Sequence, residues 1–167
     1  MTMDTARCGG NHLTKRNSLV RARTKFARFR DVLVIEDDVI EANHLTATLR
    51  VLLGYNLEIR RALAIDEAVD LVVEKMPDVV FLDDMPKPSC DALRAIPRLM
   101  KSGYFGPVIV VSGQMTHSRR ATLLAMGATD VIDRDDIDSV RVAEGLSQSL
   151  APKMMMGGKA ACLSKTG

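Results

Sequence analysis

Short apolar runs and helical patterns alternate along the chain. Three runs of four consecutive apolar residues, at 32–35, 79–82 and 108–111, are each bounded by charged or turn-forming residues. Runs of this length are typical of strands that are buried on both faces. The partly alternating segment 57–63 and the short segment 131–134 predict two further strands.

Apolar residues recur at helical spacing between and after these runs, which predicts five helices. Gly54 is placed to end the first helix, and Pro97 should shorten or kink the third. The fourth helix spans 117–126. The inward-facing residues predicted for the other helices are Leu45, Leu49, Leu52 and Leu53; Val69, Val72, Val73 and Met76; Leu93, Ile96, Leu99 and Met100; and Ile137, Val140, Ala143, Leu146 and Leu150.

Five strands that alternate with five helices predict an α/β fold. The pattern indicates βαβ units with right-handed crossovers and a single parallel sheet covered on both faces. We expect a flavodoxin-like five-stranded parallel sheet of order 2-1-3-4-5 with helices on both faces. In such a sheet, ligands bind in a crevice between the carboxyl ends of the first and third strands.

Chemically active side chains follow four of the predicted strands. Glu36 and Asp37 follow the first strand, Asp83 the third and Ser112 the fourth, while Arg134 closes the fifth. Each residue alone has an ordinary interpretation as a turn, cap or surface residue, but all five fall at the same edge of the sheet. Clustered carboxylates repel one another unless a cation or shared protons accompany them. Oxygen ligands with room for water suit Mg²⁺.

This set of groups suits the capture of a phosphoryl group. A carboxylate can attack phosphorus to form an acyl phosphate, while a metal ion and the Arg134 guanidinium offset the negative charge. Ser112 offers a hydroxyl beside the same crevice. The residues therefore predict an aspartyl-phosphate site with Mg²⁺ as its cofactor.

Four segments resemble, in order, the motifs of the response-regulator receiver domain, the phosphorylation module of two-component signalling. The segments are VLVIEDD, PDVVFLD, PVIVVSG and GATDVIDRDD. The resemblance covers about residues 31–150. It implies that Asp83 accepts a phosphoryl group from a histidine kinase or phosphotransfer protein, and that Ser112 turns toward that group and signals its presence.

The resemblance also implies a set of ligands for the metal. Asp37 would bind Mg²⁺ directly and Glu36 would assist through water. Asp83 and the backbone carbonyl of Met85 would complete the protein ligands. Arg134 would contact the phosphoryl group.

Three features depart from the family pattern. The family has a lysine where this chain has Arg134, and usually an aromatic residue where it has Val131, which puts a rotamer switch at that position in doubt. The third concerns register: counting from Pro77 selects Asp83 as the acceptor, whereas an Asp-x-x-x-Pro spacing before Pro88 selects Asp84. We favour Asp83, because it directly ends the apolar strand.

Other classes of protein fit the same pattern less well. A pseudo-receiver that binds partners without efficient phosphorylation is the main alternative. A phosphohydrolase with an aspartate nucleophile needs a second aspartate where this chain has Met85. A flavin site needs a phosphate-binding loop after the first strand, where Glu36, Asp37 and Asp38 would repel phosphate. We expect no enzyme activity beyond self-phosphorylation and slow self-dephosphorylation.

Charge and composition define the flanking segments. Residues 1–30 contain eight Lys or Arg against one acid, although the whole chain carries only +2. They predict a basic, disordered arm ahead of a domain at 31–150, with a flexible tail at 151–167. The 17 residues after Leu150 are too few for an output domain, so we expect a single-domain regulator that acts by protein binding.

Composition also limits the setting and the partners. Three widely spaced cysteines suggest a reducing compartment, and no apolar stretch approaches the ~20 residues of a membrane span. We therefore expect a cytoplasmic protein. Its expected partners are the phosphodonor protein and a downstream target, with a homodimer as a further option. The basic arm lacks the interleaved aromatic residues that favour nucleic acid.

Overall fold

The computed structural model describes residues 10–84 and 91–151. Helices and parallel strands alternate through these residues. The strands are β1 (Asp31–Ile35), β2 (Glu58–Ala62), β3 (Val79–Asp83), β4 (Val108–Ser112) and β5 (Asp130–Asp133). The helices are α1 (Gly10–Lys25), α2 (Val39–Leu53), α3 (Ile65–Glu74), α4 (Ala92–Lys101), α5 (His117–Ala125) and α6 (Ser139–Leu150), with a 3₁₀ turn at Arg134–Asp136.

The five strands form one parallel sheet in the order β2-β1-β3-β4-β5. The predicted fold class and strand order are therefore confirmed. Every residue of β1, β3 and β4 is buried, as their uninterrupted apolar runs predict, whereas β2 is largely half-buried at the edge of the sheet.

A separate hydrophobic cluster covers each face of the sheet. Leu82 and Val110 belong to the cluster with α3, α4 and α5, whereas Phe81 and Val111 belong to the cluster with α2 and α6. Successive side chains of a strand point to opposite faces. The two clusters therefore define the face to which each residue at the carboxyl end of the sheet belongs.

Helix ends follow the local sequence. The Asp38 carboxylate caps α2 by accepting hydrogen bonds from the backbone N–H groups of Ile40 and Glu41, at 2.7 and 3.2 Å. Gly54 ends α2 with a φ of 107°, as predicted. Pro97 lies inside α4, which continues to Lys101, so it does not end the helix there.

The predicted inward faces of two helices need correction. Val73 and Met76 are 69% and 53% exposed, and Val140 is 65% exposed. The buried face of α3 begins one turn before the predicted face and includes an alanine, which hydropathy alone does not mark as a core residue. The buried face of α6 includes a glycine. The buried residues are Ile65, Ala68 and Val72 in α3 and Val142, Gly145 and Leu146 in α6.

The predicted disorder of residues 1–30 is wrong for the part that the structure describes. Residues 10–25 form α1, and Phe26 and Phe29 are only 2% and 3% exposed in the cluster beneath α2 and α6. Arg23 Nη2 donates to the Val51 carbonyl at 3.1 Å, and Lys25 Nζ to Ser147 Oγ at 2.8 Å. The charge count overlooked two aromatic residues that bury against the domain.

Two other predictions about the flanks lie outside the described residues. They are the disorder of residues 1–9 and the flexible tail, of which only residue 151 is described. None of the helices in the described part of the chain is long and apolar enough to span a membrane.

Candidate functional site

Three carboxylates meet at the carboxyl ends of β1 and β3. Ile35 pairs with Leu82, so Glu36 and Asp83 are the next residues of adjacent strands. One ligand oxygen from each of Glu36, Asp37 and Asp83 lies within 4.8 Å of the others. Glu36 and Asp83 are each only 6% exposed. The structure thus brings together the three acids that the strand ends predicted.

Backbone contacts hold the loop that carries two of these acids. Arg61 in β2 donates from Nε to the Glu36 carbonyl and from Nη2 to the Asp37 carbonyl, both at 2.9 Å. The Asp38 backbone N–H donates to Glu36 Oε1 at 3.0 Å. Sequence reasoning missed Arg61, whose only signal is its place in the edge strand beside β1. Its guanidinium fixes the loop through two carbonyls without using the carboxylates.

Burial raises the pKa of Glu36 from 4.5 to about 7. The backbone N–H of Asp38 opposes this shift, whereas the charge of Asp83 adds to it. Arg134 lowers the pKa of Glu36 and Asp37 raises it, by smaller amounts. Burial and the neighbouring Asp83 charge therefore both disfavour the ionised form of Glu36, and a cation bound at this carboxylate cluster would favour it.

Arg134 lies against the acidic cluster, as expected from its place at the end of β5. Its Nη2 donates to Asp83 Oδ1 and lies 3.6 Å from Glu36 Oε2. Its Nε is buried and has no hydrogen-bond partner among the described residues. The guanidinium therefore reaches two of the three carboxylates from the β5 side.

Asp84 belongs to a different network from Asp83. It is 4% exposed, and its carboxylate accepts hydrogen bonds from Ser112 Oγ at 2.9 Å and from Arg119 Nε at 3.1 Å. Arg119 also pairs with Asp91, the residue that caps α4. Sequence reasoning placed Ser112 at this edge but missed Arg119, because a charged residue in an amphipathic helix gives no signal of the strand that it contacts.

Seven of the side chains described above line one cleft at the carboxyl edge of the sheet. Glu36, Asp37, Asp83, Ser112 and Arg134 surround it together with Asp84 and Arg119.

The family model of the response regulator receiver domain matches residues 32–143. The chain belongs to the response regulator receiver domain family. No curated protein matches it significantly. Several solved structures that it resembles are described as receiver domains. One is the receiver domain of NtrX from Brucella abortus, with 26% identity, a TM-score of 0.64, and coverage of 72% of this chain and 98% of that one.

Two further similar structures are described as containing, or as activated by, a beryllofluoride. The CheX-CheY-BeF3-Mg+2 complex from Borrelia burgdorferi has 22% identity and a TM-score of 0.62, covering 73% of this chain and 90% of that one. The BeF3-activated N-terminal receiver domain of RstA from Klebsiella pneumoniae has 19% identity and a TM-score of 0.59, covering 72% and 99%. At these identities the likeness shows the shared fold.

The donor set of this receiver domain fits a small, hard cation. Glu36, Asp37 and Asp83 supply carboxylate oxygens only, and one oxygen of each lies within 4.8 Å of the others. Met85, whose carbonyl was the fourth predicted ligand, lies outside the described residues. The residues present are therefore those that Mg²⁺ prefers, with the Met85 contribution still a prediction.

Val131 occupies the β5 position where the receiver family usually has an aromatic residue. It is fully buried and pairs with Val110 in the cluster with α3, α4 and α5. A short β-branched side chain has little rotamer freedom. Val131 therefore lacks the large side chain that a rotamer switch at this position would move, which is the reason the sequence put such a switch in doubt.

Proposed function

We propose that this receiver domain accepts a phosphoryl group on Asp83 from a histidine kinase or phosphotransfer protein, with Mg²⁺, and signals through altered protein–protein binding. The observation that carries the proposal is the convergence of Asp83 with Glu36, Asp37 and Arg134 in one cleft. Membership of the receiver family supports a role in two-component signal transduction.

The proposed step forms one bond and breaks one. An Asp83 carboxylate oxygen attacks phosphorus, the bond from phosphorus to the donor imidazole nitrogen breaks, and the electron pair leaves with the imidazole, which then takes a proton. Asp83 becomes an acyl phosphate. Arg134, which already donates to Asp83, is placed to hold a phosphoryl oxygen. Bound Mg²⁺, held by Glu36, Asp37 and Asp83, would supply positive charge against the phosphoryl oxygens.

The two networks favour Asp83 over Asp84 as the acceptor. Asp84 is buried and both of its oxygens accept hydrogen bonds, from Arg119 and Ser112. Attack by this carboxylate would break its hydrogen bonds with both Ser112 and Arg119. Asp83 lies instead among the carboxylates that fit a cation, where the developing charge can be compensated.

The Borrelia burgdorferi complex combines BeF3 and Mg+2 with a protein of the same fold. By analogy, we propose that BeF3⁻, which resembles a phosphoryl group, binds at Asp83 of this chain with Mg²⁺. Location in the cytoplasm and a stand-alone organisation remain predictions.

Labelling with a small phosphodonor tests the proposal. Acetyl phosphate and Mg²⁺ should label the wild-type chain, Asp83→Asn should abolish labelling, and a chelator should suppress it. Asp84→Asn is the matched control, because it neutralises the adjacent acid, and it should still be labelled. Labelling that survives Asp83→Asn but is lost in Asp84→Asn would reverse the assignment.

A pseudo-receiver is the second candidate. The favouring observation is that Arg134 already contacts both Asp83 and Glu36, so a cation of the protein itself lies where an added one would act. Absence of any acyl phosphate on the folded wild-type chain would support this interpretation. In either case we propose a binding protein rather than an enzyme, with slow loss of the phosphoryl group instead of sustained turnover.

A further inference from the structure

The backbone register places Asp84 beside Ser112 and away from Asp83. Asp83 pairs with Val111 in the β3–β4 ladder, and the Asp84 N–H donates to the Val111 carbonyl at 2.8 Å. Asp84 and Ser112 are therefore the next residues of adjacent parallel strands. By alternation they continue the face of Leu82 and Val110, whereas Asp83 continues the opposite face.

A buried hydrogen bond joins the side chains of Ser112 and Asp84. Ser112 is 1% exposed, and its hydroxyl donates to Asp84 Oδ2 at 2.9 Å. Arg119 fixes the acceptor by donating from Nε to Oδ2 at 3.1 Å and from Nη2 to Oδ1 at 2.5 Å. Removing a hydrogen-bond donor from a buried carboxylate costs free energy. The Asp84 carboxylate therefore favours the rotamer in which the Ser112 hydroxyl donates to it.

We propose that Asp84 and Arg119 are positioning residues that hold Ser112 away from the phosphoryl site. This inference rests on the proposed function of Asp83. A serine hydroxyl has one proton to donate. Ser112 can therefore bond Asp84 or a phosphoryl group on Asp83, and each phosphorylation event must exchange the first bond for the second.

The exchange sets the response to phosphorylation. Only molecules in which Ser112 is free to turn can bond the phosphoryl group. The apparent affinity is therefore the intrinsic affinity multiplied by the fraction of molecules in that state. Arg119 lies in the first turn of α5 and also pairs with Asp91 at the start of α4. The ion pairs of Arg119 with Asp84 and Asp91 thus join the end of β3 to α5 and α4. Loss of the Ser112 hydrogen bond removes one contact of Asp84 in this network.

A double-mutant cycle with beryllofluoride and Mg²⁺ tests this inference. Apparent dissociation constants are measured for the wild type, Asp84→Leu, Ser112→Ala and the double variant, with folding of each checked by circular dichroism. Asp84→Leu should tighten beryllofluoride binding by about tenfold in the Ser112 background, because the hydroxyl is released. In the Ser112→Ala background the same substitution should change affinity by less than about threefold.

The second background separates release of the hydroxyl from simple charge removal, since loss of the Asp84 charge affects anion binding with or without the hydroxyl. Asp84→Asn provides a second, more conservative variant and should shift affinity in the same direction by less, because an amide oxygen is a weaker acceptor. An equal change in both backgrounds, or no change in either, would overturn the inference while leaving the proposed function intact. A wild-type chain that binds no beryllofluoride and takes no phosphoryl group would overturn both.

Discussion

The carboxylates of Asp83 and Asp84 lie in two separate networks, although the residues are consecutive. Asp83 faces Glu36, Asp37 and Arg134, whereas Asp84 is bonded to Ser112 and Arg119. The cause is the strand alternation at the end of β3, which directs neighbouring side chains to opposite faces. A single step along the backbone thus separates the proposed phosphoryl acceptor from the acid that accepts a hydrogen bond from Ser112.

Replacement of Arg134 should slow phosphorylation. Arg134→Gln removes the cation that donates to Asp83, so we expect the rate of acyl-phosphate formation with acetyl phosphate to fall by about tenfold or more. Arg134→Lys keeps the charge and should retain most of the rate, although it loses the planar fork. Arg120→Gln is the control, because Arg120 pairs with Asp130 outside the cleft. Equal losses in the Arg134→Gln and Arg120→Gln variants would contradict a specific role for Arg134.

The raised pKa of Glu36 predicts a defined pH dependence of stability. The folded state holds a proton on Glu36 up to about pH 7, whereas the unfolded chain releases it near the ordinary value of 4.5. The folded state therefore binds more protons in this window, and the Glu36 contribution to the unfolding free energy falls as pH rises through it.

Comparison of the wild type with Glu36→Gln isolates this contribution. Without divalent cations, the variant should gain stability relative to the wild type by up to about 3 kcal/mol between pH 5 and pH 8. Urea unfolding at both pH values measures the difference. Added Mg²⁺ should reduce the gain, because a cation stabilises the charged form of Glu36. A constant difference across this range would contradict the raised pKa.

The buried aromatic residues after α1 should stabilise the domain. Phe29 is 3% exposed and packs near Phe26, with ring centroids 6.3 Å apart. Phe29→Ala should lower the unfolding free energy by about 3 kcal/mol or more, as a cavity in a core does. Val20→Ala is the matched control in α1, where Val20 is 59% exposed, and should have little effect. Equal unfolding midpoints for wild type and Phe29→Ala would show that this segment is not part of the folded unit.

Much of the fold could be predicted from the sequence because its central strands are short and apolar. The runs at 79–82 and 108–111 are bounded by acids, a proline and a serine, so both their ends and their parallel arrangement could be predicted. Helix faces were harder to predict. Val73 and Val140 are hydrophobic but exposed, whereas the small residues Ala68 and Gly145 belong to the buried faces of α3 and α6. Hydropathy alone does not distinguish a buried alanine from an exposed one.

The candidate site likewise contains residues that could be predicted from the sequence and residues that could not. Glu36, Asp37 and Asp83 were predictable because strand order fixes which strand ends are neighbours. The partner of Ser112 was not, because Asp84 lies 28 residues away and the choice between two consecutive acids depends on alternation and register. Arg119 lies 35 residues from Asp84, and helical spacing does not reveal which arginine reaches across the sheet edge.

The position of the phosphorylated residue decides whether Asp83 is the acceptor. The wild-type chain is treated with acetyl phosphate and Mg²⁺, any acyl phosphate is reduced with borohydride to give a stable homoserine, and the modified position is located by tandem mass spectrometry. We predict modification at position 83 alone, dependent on Mg²⁺. Modification at position 84, or none at any aspartate of a folded chain, would contradict the assignment.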